Sequence, residues 1–389
     1  MKRELKPRKR NTTFGANGMV KSGRHDCYHF VTSAVLTSNI VGKKQATIPD
    51  LFIDTTEHGL QEKALLTLQN NKGKGVHLTP LQTKAVIGIA MAVDAQLGHN
   101  PEFQQYIEQL PDKYRRMQEL AEMGEPLSAT VETSVSVLIN VAEFTKRVSG
   151  GKGGQQLASI REELNNLANT NYIIKMGDYT YYQPLITIKG GIVSAEAKWV
   201  KVEIGDAFMY GIRSQFSKAP LTLLSLWNEY GDNSELTTLL IMLLQKVRGN
   251  FVAKAKGIVE AKEKELRKKK LTPEKMAKEL EAVGREALTY RESFRSILER
   301  LPNTDCYYQV KNGKKYYRKD REIKFINKSR QSLIDMGIIT ECYISDGSLG
   351  DTLLNFVINP MWLQEEKEFI QGLPFSIKGE TEATEVHPE

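Results

Sequence analysis

Between Leu138 and Gly191 the hydrophobic positions first recur at helical spacing and then alternate, which predicts two helices followed by a β-hairpin. Asn140 is a residue type that caps helix N-termini, and Glu143 stands three positions later, as in a capping box. A short helix is therefore predicted over 141–148. The four glycines of Ser149–Gly154 give the backbone too much freedom to stay helical, so a turn is predicted there.

A second helix is predicted from Gln155 to about Asn169, because four apolar residues of this stretch fall on one helix face. They are Leu157, Ile160, Leu164 and Leu167. Two β-rich runs follow, Tyr172–Met176 and Thr180–Ile188, with Gly177-Asp178 as the turn between them. This order is that of a winged helix-turn-helix, whose second helix lies in the DNA major groove while its hairpin contacts the backbone.

The outward face of this second helix is polar, which predicts hydrogen bonds to base edges and few contacts to phosphate. Its candidate DNA-binding residues are Gln155, Ser159 and Asn166, with Lys152 in the preceding turn. Glu162 lies on the same face. Two interpretations stay open, namely weak DNA binding by this unit or use of part of its surface for a protein partner.

A similar order of elements recurs after residue 288. Thr289 and Glu292 have the spacing of a capping box and predict the start of a helix. The apolar residues of this helix are Phe294, Ile297, Leu298 and Leu301. Pro302 ends the helix, since proline cannot continue it.

The rest of this second copy is a connection, a helix and a hairpin. Tyr307–Tyr317 contains a hairpin-like Asn312-Gly313 turn. A helix is predicted from about Asp320 to Met336, followed by strands over Ile338–Ile344 and Leu353–Ile358.

The helix predicted over 320–336 has an apolar face and a basic face. The apolar face consists of Ile323, Ile326, Leu333 and Ile334. The opposite face consists of Arg321, Lys324, Lys328 and Gln331, and Arg318 precedes the helix. Cations suit phosphates and guanine, and an amide suits adenine, so these five residues are candidates for DNA binding. The competing interpretation is a solvated basic helix face.

The pattern as a whole predicts an α+β protein that is mainly α, with two tandem winged helix-turn-helix domains. The predicted segments are an N-terminal extension over 1–75, a first winged-helix domain over 76–252, a charged helical linker over 253–287, a second winged-helix domain over 288–365 and an acidic C-terminal tail over 366–389. The extension combines a basic tail with a small α/β segment, in which Leu60–Gln69 is predicted to be helical. Thr79 and Pro80 predict the start of a long helix that ends at Leu97.

Composition and charge narrow the class of protein only slightly. The chain has 389 residues, of which 40% are hydrophobic and 26% charged, as in ordinary globular proteins. Its net charge of +7 suits a polyanionic partner, and equally suits a mildly basic protein with none. Three widely spaced cysteines and no apolar run of membrane-spanning length predict a cytoplasmic location, no membrane and no metal site.

The layout resembles the plasmid replication initiators that have two tandem winged-helix domains, over about residues 78–360. In the first domain the matching stretches are LTPLQTKAVIGIAMAV, LINVAEFTKRV and LASIREELNNLANTNYII. In the second domain they are LTYRESFRSILERL and REIKFINKSRQSLIDMGIITECYI. The N-terminal extension and the charged insert over 253–287 depart from that family.

The resemblance implies a protein without enzyme activity or cofactor. Such proteins bind short direct repeats of double-stranded DNA at an origin, and recruit the host initiator and the replicative helicase. Their monomers bind the origin, and their dimers, formed through the first winged-helix domain, often repress the protein's own promoter. The second domain's helix is the main sequence reader.

A transcriptional regulator and a DNA nickase are the alternative functions. A transcriptional regulator of a mobile element would bind DNA with the same units, and sequence alone does not separate it from an initiator. A DNA nickase would need a nucleophilic tyrosine such as Tyr179, Tyr181 or Tyr182, but the compact histidine pair that holds its metal is missing from the sequence. Gly150–Gly154 lacks the Gly-Lys-Ser/Thr ending of a phosphate-binding loop, so an ATPase is not predicted.

Overall fold

The computed structural model describes separate stretches of the chain, and the first five of them only as strands. The described residues are 12–14, 20–22, 28–33, 46–48, 64–70, 78–97, 100–103, 105–106, 109, 135–176, 179–205, 216–220, 223–269, 271–301, 304–347 and 351–360. They combine α-helices with small antiparallel sheets, so the predicted α+β class is confirmed. The basic residues at positions 2–10, the acidic C-terminal tail and the Gly177-Asp178 turn lie outside these residues.

Strands of the N-terminal segment join strands from later parts of the chain. These early strands are β1 (Thr12–Phe14), β2 (Val20–Ser22), β3 (Tyr28–Ser33), β4 (Ala46–Ile48) and β5 (Ala64–Asn70). The predicted helix over Leu60–Gln69 is wrong where the structure describes it, because Ala64–Asn70 pairs along its length with a strand after residue 169. Tertiary pairing overrides the local pattern there.

The first unit consists of helices and strands between residues 80 and 220. They are α1 (Pro80–Leu97), β6 (Val135–Asn140), α2 (Val141–Ser149), α3 (Gly154–Ala168), β7 (Thr170–Met176), β8 (Tyr179–Pro184), β9 (Ile186–Ile188), β10 (Trp199–Ile204) and β11 (Phe216–Pro220). The helices predicted over 141–148 and 155–169, and the long helix ending at Leu97, are confirmed.

Side-chain caps explain where these helices begin. The Asn140 carboxamide oxygen accepts hydrogen bonds from the backbone N–H groups of Ala142 and Glu143, each at 3.1 Å. The Gln82 N–H donates to Thr79 Oγ1 at 3.2 Å while the Thr79 N–H donates to the Gln82 carboxamide at 2.9 Å. Such reciprocal bonds satisfy donors that a helix start leaves unpaired. Gly150, with φ of 78°, ends α2 in the left-handed region.

The hairpin predicted over Tyr172–Ile188 forms only in part, and it is not the wing of this unit. β7 and β8 pair with each other, but they extend a sheet of order β4-β5-β7-β8. Pro184, the last residue of β8, has no N–H to donate, and the Leu185 N–H donates to the Thr170 carbonyl at 2.8 Å. A separate sheet of order β6-β10-β9 supports α2 and α3. Its hairpin, β9 and β10 with the loop over 189–198, takes the place of the wing.

The second unit follows a pair of helices shared with the first. The elements are α4 (Leu223–Glu229), α5 (Glu235–Lys268), α6 (Pro273–Ala287), β12 (Thr289–Ser293), α7 (Phe294–Leu298), a 3-10 turn (Asp305–Tyr307), β13 (Tyr308–Lys311), β14 (Lys314–Tyr317), α8 (Lys319–Asp335), β15 (Ile339–Asp346) and β16 (Thr352–Ile358). The break at Thr272-Pro273 separates α5 from α6, and Thr272 caps α6.

The predicted capping box of Thr289 and Glu292 is wrong. Both residues lie in β12, which pairs with β16, and the helix starts later at Phe294. Its cap is Ser293, whose hydroxyl accepts the Ser296 N–H at 3.1 Å. Thr289 instead donates its hydroxyl to the Arg285 carbonyl at 2.7 Å, at the end of α6. Pairing with β16 therefore makes residues 289–293 a strand instead of the start of a helix.

Both units share one strand order. In the second unit the sheet order is β12-β16-β15, and in the first unit it is β6-β10-β9. In each sheet the strand before the short helix pairs with the last strand of the hairpin that follows the second helix. Each first strand leads directly into a short helix capped by its own last residue, Asn140 or Ser293. This repeated arrangement is consistent with two winged-helix-like units in tandem.

The units meet where the inner face of α8 packs against α5. The Thr237 hydroxyl donates to the Ser329 hydroxyl at 2.8 Å, and both residues are buried. The Asp232 N–H donates to the Ser332 hydroxyl at 3.3 Å. Trp227 is fully buried beside this contact, and its indole N–H donates to the Asp232 carbonyl at 3.2 Å. α5 continues unbroken across the predicted boundary at residue 253, which stays a prediction.

Candidate nucleic-acid interface

α3 presents the polar face that the sequence predicted. Gln155, Glu162 and Asn166 are exposed and Ser159 is half-buried, while Ile160, Leu164 and Leu167 are fully buried. The face therefore carries amides, a hydroxyl and one carboxylate. It offers hydrogen bonds to bases but little positive charge to phosphates.

Two of the candidate DNA-binding residues at α3, Lys152 and Asn166, already contact other side chains of the protein. The Lys152 ammonium lies 3.9 Å from a Glu143 carboxylate oxygen in an exposed pair, which contributes little energy. The Asn166 amide donates to the Glu163 carboxylate at 3.1 Å, and Gln82 donates to the same oxygen at 2.8 Å. The contact to Gln82 links α3 to the start of α1.

The wing of the first unit is fastened to α3. The Asn165 carboxamide oxygen accepts the Val193 N–H at 2.9 Å, and the Arg161 guanidinium donates to the Ala197 carbonyl at 3.2 Å. The Val193 N–H and the Ala197 carbonyl both lie in the loop over 189–198. Gly190 and Gly191 in this loop have positive φ values, in the left-handed region. The helix and the wing therefore present one continuous surface.

In the second unit the exposed face of α8 is rotated slightly from the face predicted by the sequence, and it includes residues that the prediction did not name. The exposed residues of α8 are Lys319, Asp320, Ile323, Lys324, Asn327, Lys328, Gln331 and Asp335. Ile326 and Leu333 are buried as predicted, but Ile323 is 42% exposed. The buried face is completed by polar residues, among them Glu322 and Ser329, and the helix packs on α5, on β15 and on the 3-10 turn.

Lys324 and Lys328 supply the accessible positive charge of this row. Lys324 makes no hydrogen bond or ion pair with any residue that the structure describes. Lys328 lies 3.6 Å from a carboxylate oxygen of Asp232, yet its side chain is 65% exposed. Gln331 donates to the Asp335 carboxylate at 2.7 Å. The exposed ammonium groups lie one turn apart on the helix.

Arg318 and Arg321 are occupied by acceptors within the protein. Arg318 binds both carboxylate oxygens of Asp320 at 2.7 Å and donates to the Gln309 carboxamide at 2.6 Å. Arg321 donates to the carbonyls of Cys306 and Tyr308 at 3.1 and 3.3 Å. These bonds tie the hairpin β13–β14 to the start of α8. A direct role of either arginine in DNA binding stays a prediction.

A buried carboxylate joins three elements at this end of the unit. Glu322, 2% exposed, accepts hydrogen bonds from the Tyr317 hydroxyl, the Thr352 hydroxyl and the Lys319 ammonium. These donors belong to β14, β16 and α8. Burial and the bond to Glu322 raise the pKa of Tyr317 above its ordinary value.

Sequence reasoning overlooked Asn327 and the basic tip of the hairpin. Asn327 is exposed between Lys324 and Gln331, and its position three residues after Lys324 is the signal that places it on their face. The predicted Asn312-Gly313 turn is confirmed by φ values of 48° and 75°. The lysines that flank it are exposed at 311, 314 and 315.

The His, Cys, Asp and Glu side chains of the described residues are dispersed. No three of their His, Cys, Asp and Glu side chains are grouped to hold a metal ion. Burial raises the pKa of the Cys342 thiol to about 12. No helix in the described part of the chain is long and apolar enough to cross a membrane.

The comparison with solved structures finds a weak likeness. No protein-family model matches the chain, and no curated protein matches it. A crystal structure of domains 2 and 3 of RctB aligns over 83% of this chain and 98% of its own length, with 8% sequence identity and a TM-score of 0.35. A score of this size does not define the fold, which rests on the strand order and caps described above.

Proposed function

We propose that this protein binds double-stranded DNA sequence-specifically and acts as a replication initiator of a plasmid or mobile element. The observation that carries the proposal is the outward row of α8, with Lys324, Asn327, Lys328 and Gln331 on the open side of a winged-helix-like unit. An α-helix fits the major groove, where lysine recognises guanine and asparagine or glutamine recognises adenine. Binding, with no catalytic step, is the proposed activity.

The two units have different tasks in this proposal. α8 supplies base recognition and phosphate contacts in the second unit, while the amides of α3 add hydrogen bonds in the first. Direct repeats as the binding site, dimerisation through the first unit, and recruitment of a host initiator and helicase belong to the proposal through the sequence resemblance. Regulation of a promoter uses the same contacts, and tandem direct repeats beside an AT-rich segment near the gene would favour initiation.

Salt-dependent binding to a 30-base-pair duplex of mixed sequence tests the interface. Replacing Lys324 or Lys328 by alanine is expected to reduce the slope of log affinity against log salt by about one unit each, because each lysine releases one phosphate counterion. Lys264, exposed on α5 and unpaired among the described residues, provides the control variant Lys264→Ala. Fluorescence anisotropy between 50 and 300 mM salt, about a sixfold range, measures the slopes.

Two results would contradict the proposal. One is a wild-type protein that leaves the duplex unbound at low salt. The other is a pair of α8 variants whose slopes equal that of Lys264→Ala.

A further inference from the structure

The hairpin β13–β14 is an insertion between the two helices of the second unit. It connects the 3-10 turn after α7 to the first residue of α8, and the first unit has only a short glycine turn at the corresponding place. Its strands pair from Tyr308 with Tyr317 to Lys311 with Lys314. The hairpin β13–β14 is not a part of a helix-turn-helix or of its wing, so its residues can have a separate function.

The base of the hairpin is fixed to the N-terminal end of α8. Arg321 donates to the Tyr308 carbonyl, the Arg318 N–H donates to the Tyr307 carbonyl at 2.9 Å, and Tyr317 bonds Glu322. Tyr307 is buried with its ring edge-on to Phe325 at 5.3 Å. The N-terminal end of a recognition helix is the end that meets the bases. The ribbon is therefore held beside the region where DNA would lie.

The two faces of the ribbon differ. Residues opposite each other in an antiparallel pair lie on the same face, and faces alternate along a strand. One face carries Tyr308 and Tyr317, whose rings contact each other at 5.4 Å, and Lys315, which pairs with Asp305 at 2.9 Å. This face is engaged with the protein near its base.

The other face carries Lys311, Lys314 and Tyr316. All three are exposed, Tyr316 by 50%, and neither lysine has an ion pair or hydrogen bond among the residues that the structure describes. Two ammonium groups beside an exposed ring form a surface that complements a phosphodiester chain, since lysines contact phosphates and the ring can pack on a sugar. The fourth residue of this face, Gln309, accepts a hydrogen bond from Arg318, whose guanidinium also binds the Asp320 carboxylate.

We propose that the hairpin β13–β14 is a clamp for the DNA backbone. In this clamp Lys311 and Lys314 contact phosphates of the duplex beside the groove that α8 occupies. The proposal rests on the proposed function, because it requires a duplex at α8. Phosphate contacts carry no sequence information, so the clamp strengthens binding to every sequence equally.

Paired double variants test the clamp with net charge held equal. Lys311→Ala/Lys314→Ala removes two positive charges from the hairpin, and Lys264→Ala/Lys268→Ala removes two from exposed positions of α5. Salt titrations with two 30-base-pair duplexes of unrelated sequence give slopes for each protein. The hairpin variant is expected to lose about two units of slope relative to the wild type on both duplexes. The α5 variant is expected to keep the wild-type slope, and thermal melting checks that both variants fold.

The outcomes separate the clamp from the proposed function. If the wild type binds neither duplex, the proposed function fails, and the clamp fails with it. If the wild type binds and the hairpin variant keeps its slope, or loses no more than the α5 variant, the clamp alone is overturned. Loss on one duplex but not on the other would also contradict a backbone contact.

Discussion

Replacing Trp227 by alanine is expected to lower the free energy of unfolding by about 3–5 kcal/mol, as for other large-to-small changes in a core. The indole is fully buried where the two units meet, and its N–H holds the Asp232 carbonyl. Its removal leaves a cavity and frees the segment that contacts Lys328 and Ser332 of α8. Urea unfolding followed by circular dichroism measures the change.

Trp199 provides the matched control. It lies in β10 and is 53% exposed, so Trp199→Ala is expected to cost less than about 1 kcal/mol. A Trp227→Ala variant as stable as Trp199→Ala would mean that the junction between α4, α5 and α8 is not packed as described.

Replacing Lys84 by methionine is expected to remove a pH-dependent stability term of about 3 kcal/mol. Lys84 is 2% exposed, its ammonium donates to the Asn228 carboxamide at 2.8 Å, and it lies 5.0 Å from the centre of the Trp227 ring. Burial lowers its pKa from 10.5 to about 8. Between pH 8 and 10.5 the unfolded chain therefore holds a proton that the folded protein has released.

The sign of this effect follows from proton linkage. Stability rises with pH wherever the unfolded state binds more protons, so Lys84 stabilises the fold fully above pH 10.5 and this contribution is lost as pH falls through 8. Unfolding free energies of wild type and Lys84→Met, compared between pH 7.5 and 10, are expected to diverge in favour of the wild type as pH rises. Lys264→Met is the control for an exposed lysine. Parallel curves for wild type and Lys84→Met would contradict a lowered pKa.

Local signals predicted α1, α2 and α3 well, because the relevant interactions lie within a few residues. Asn140 caps α2, Thr79 caps α1, and Ile160, Leu164 and Leu167 form the buried stripe of α3, as expected from spacing. The Asn312-Gly313 turn followed from backbone preferences alone. Each of these features depends on contacts whose partners are visible in the sequence.

Sheet membership was mispredicted, because strand partners lie far away in the chain. β5 was predicted as helix, yet it pairs with β7 about a hundred residues later. The predicted first hairpin joins β5, and the wing is formed by strands beyond Pro184. Thr289 and Glu292 have capping-box spacing, but pairing with β16 holds them in a strand. In each of these cases a strand far away in the sequence determined the secondary structure or the sheet to which the segment belongs.

The candidate site was predicted in outline but not in register. Lys324, Lys328 and Gln331 are exposed on α8 as expected, and Asn327 joins them. Arg321 turns towards the hairpin, since the carbonyls of Cys306 and Tyr308 are within reach only in the folded chain. The spacing of Arg321 along the helix could not predict these contacts, because their acceptors lie in the segment before the hairpin and in its first strand.

Recognition of DNA by α8 is tested most directly by selecting duplexes from a pool of random sequence with the wild-type protein and with Asn327→Ala. The wild type is expected to enrich one sequence family, and Asn327→Ala is expected to lose preference at a single base position while keeping the others, a cost of about 1–3 kcal/mol there. A wild-type protein that enriches no sequence, or an Asn327→Ala variant with an unchanged preference at every position, would contradict the role assigned to α8.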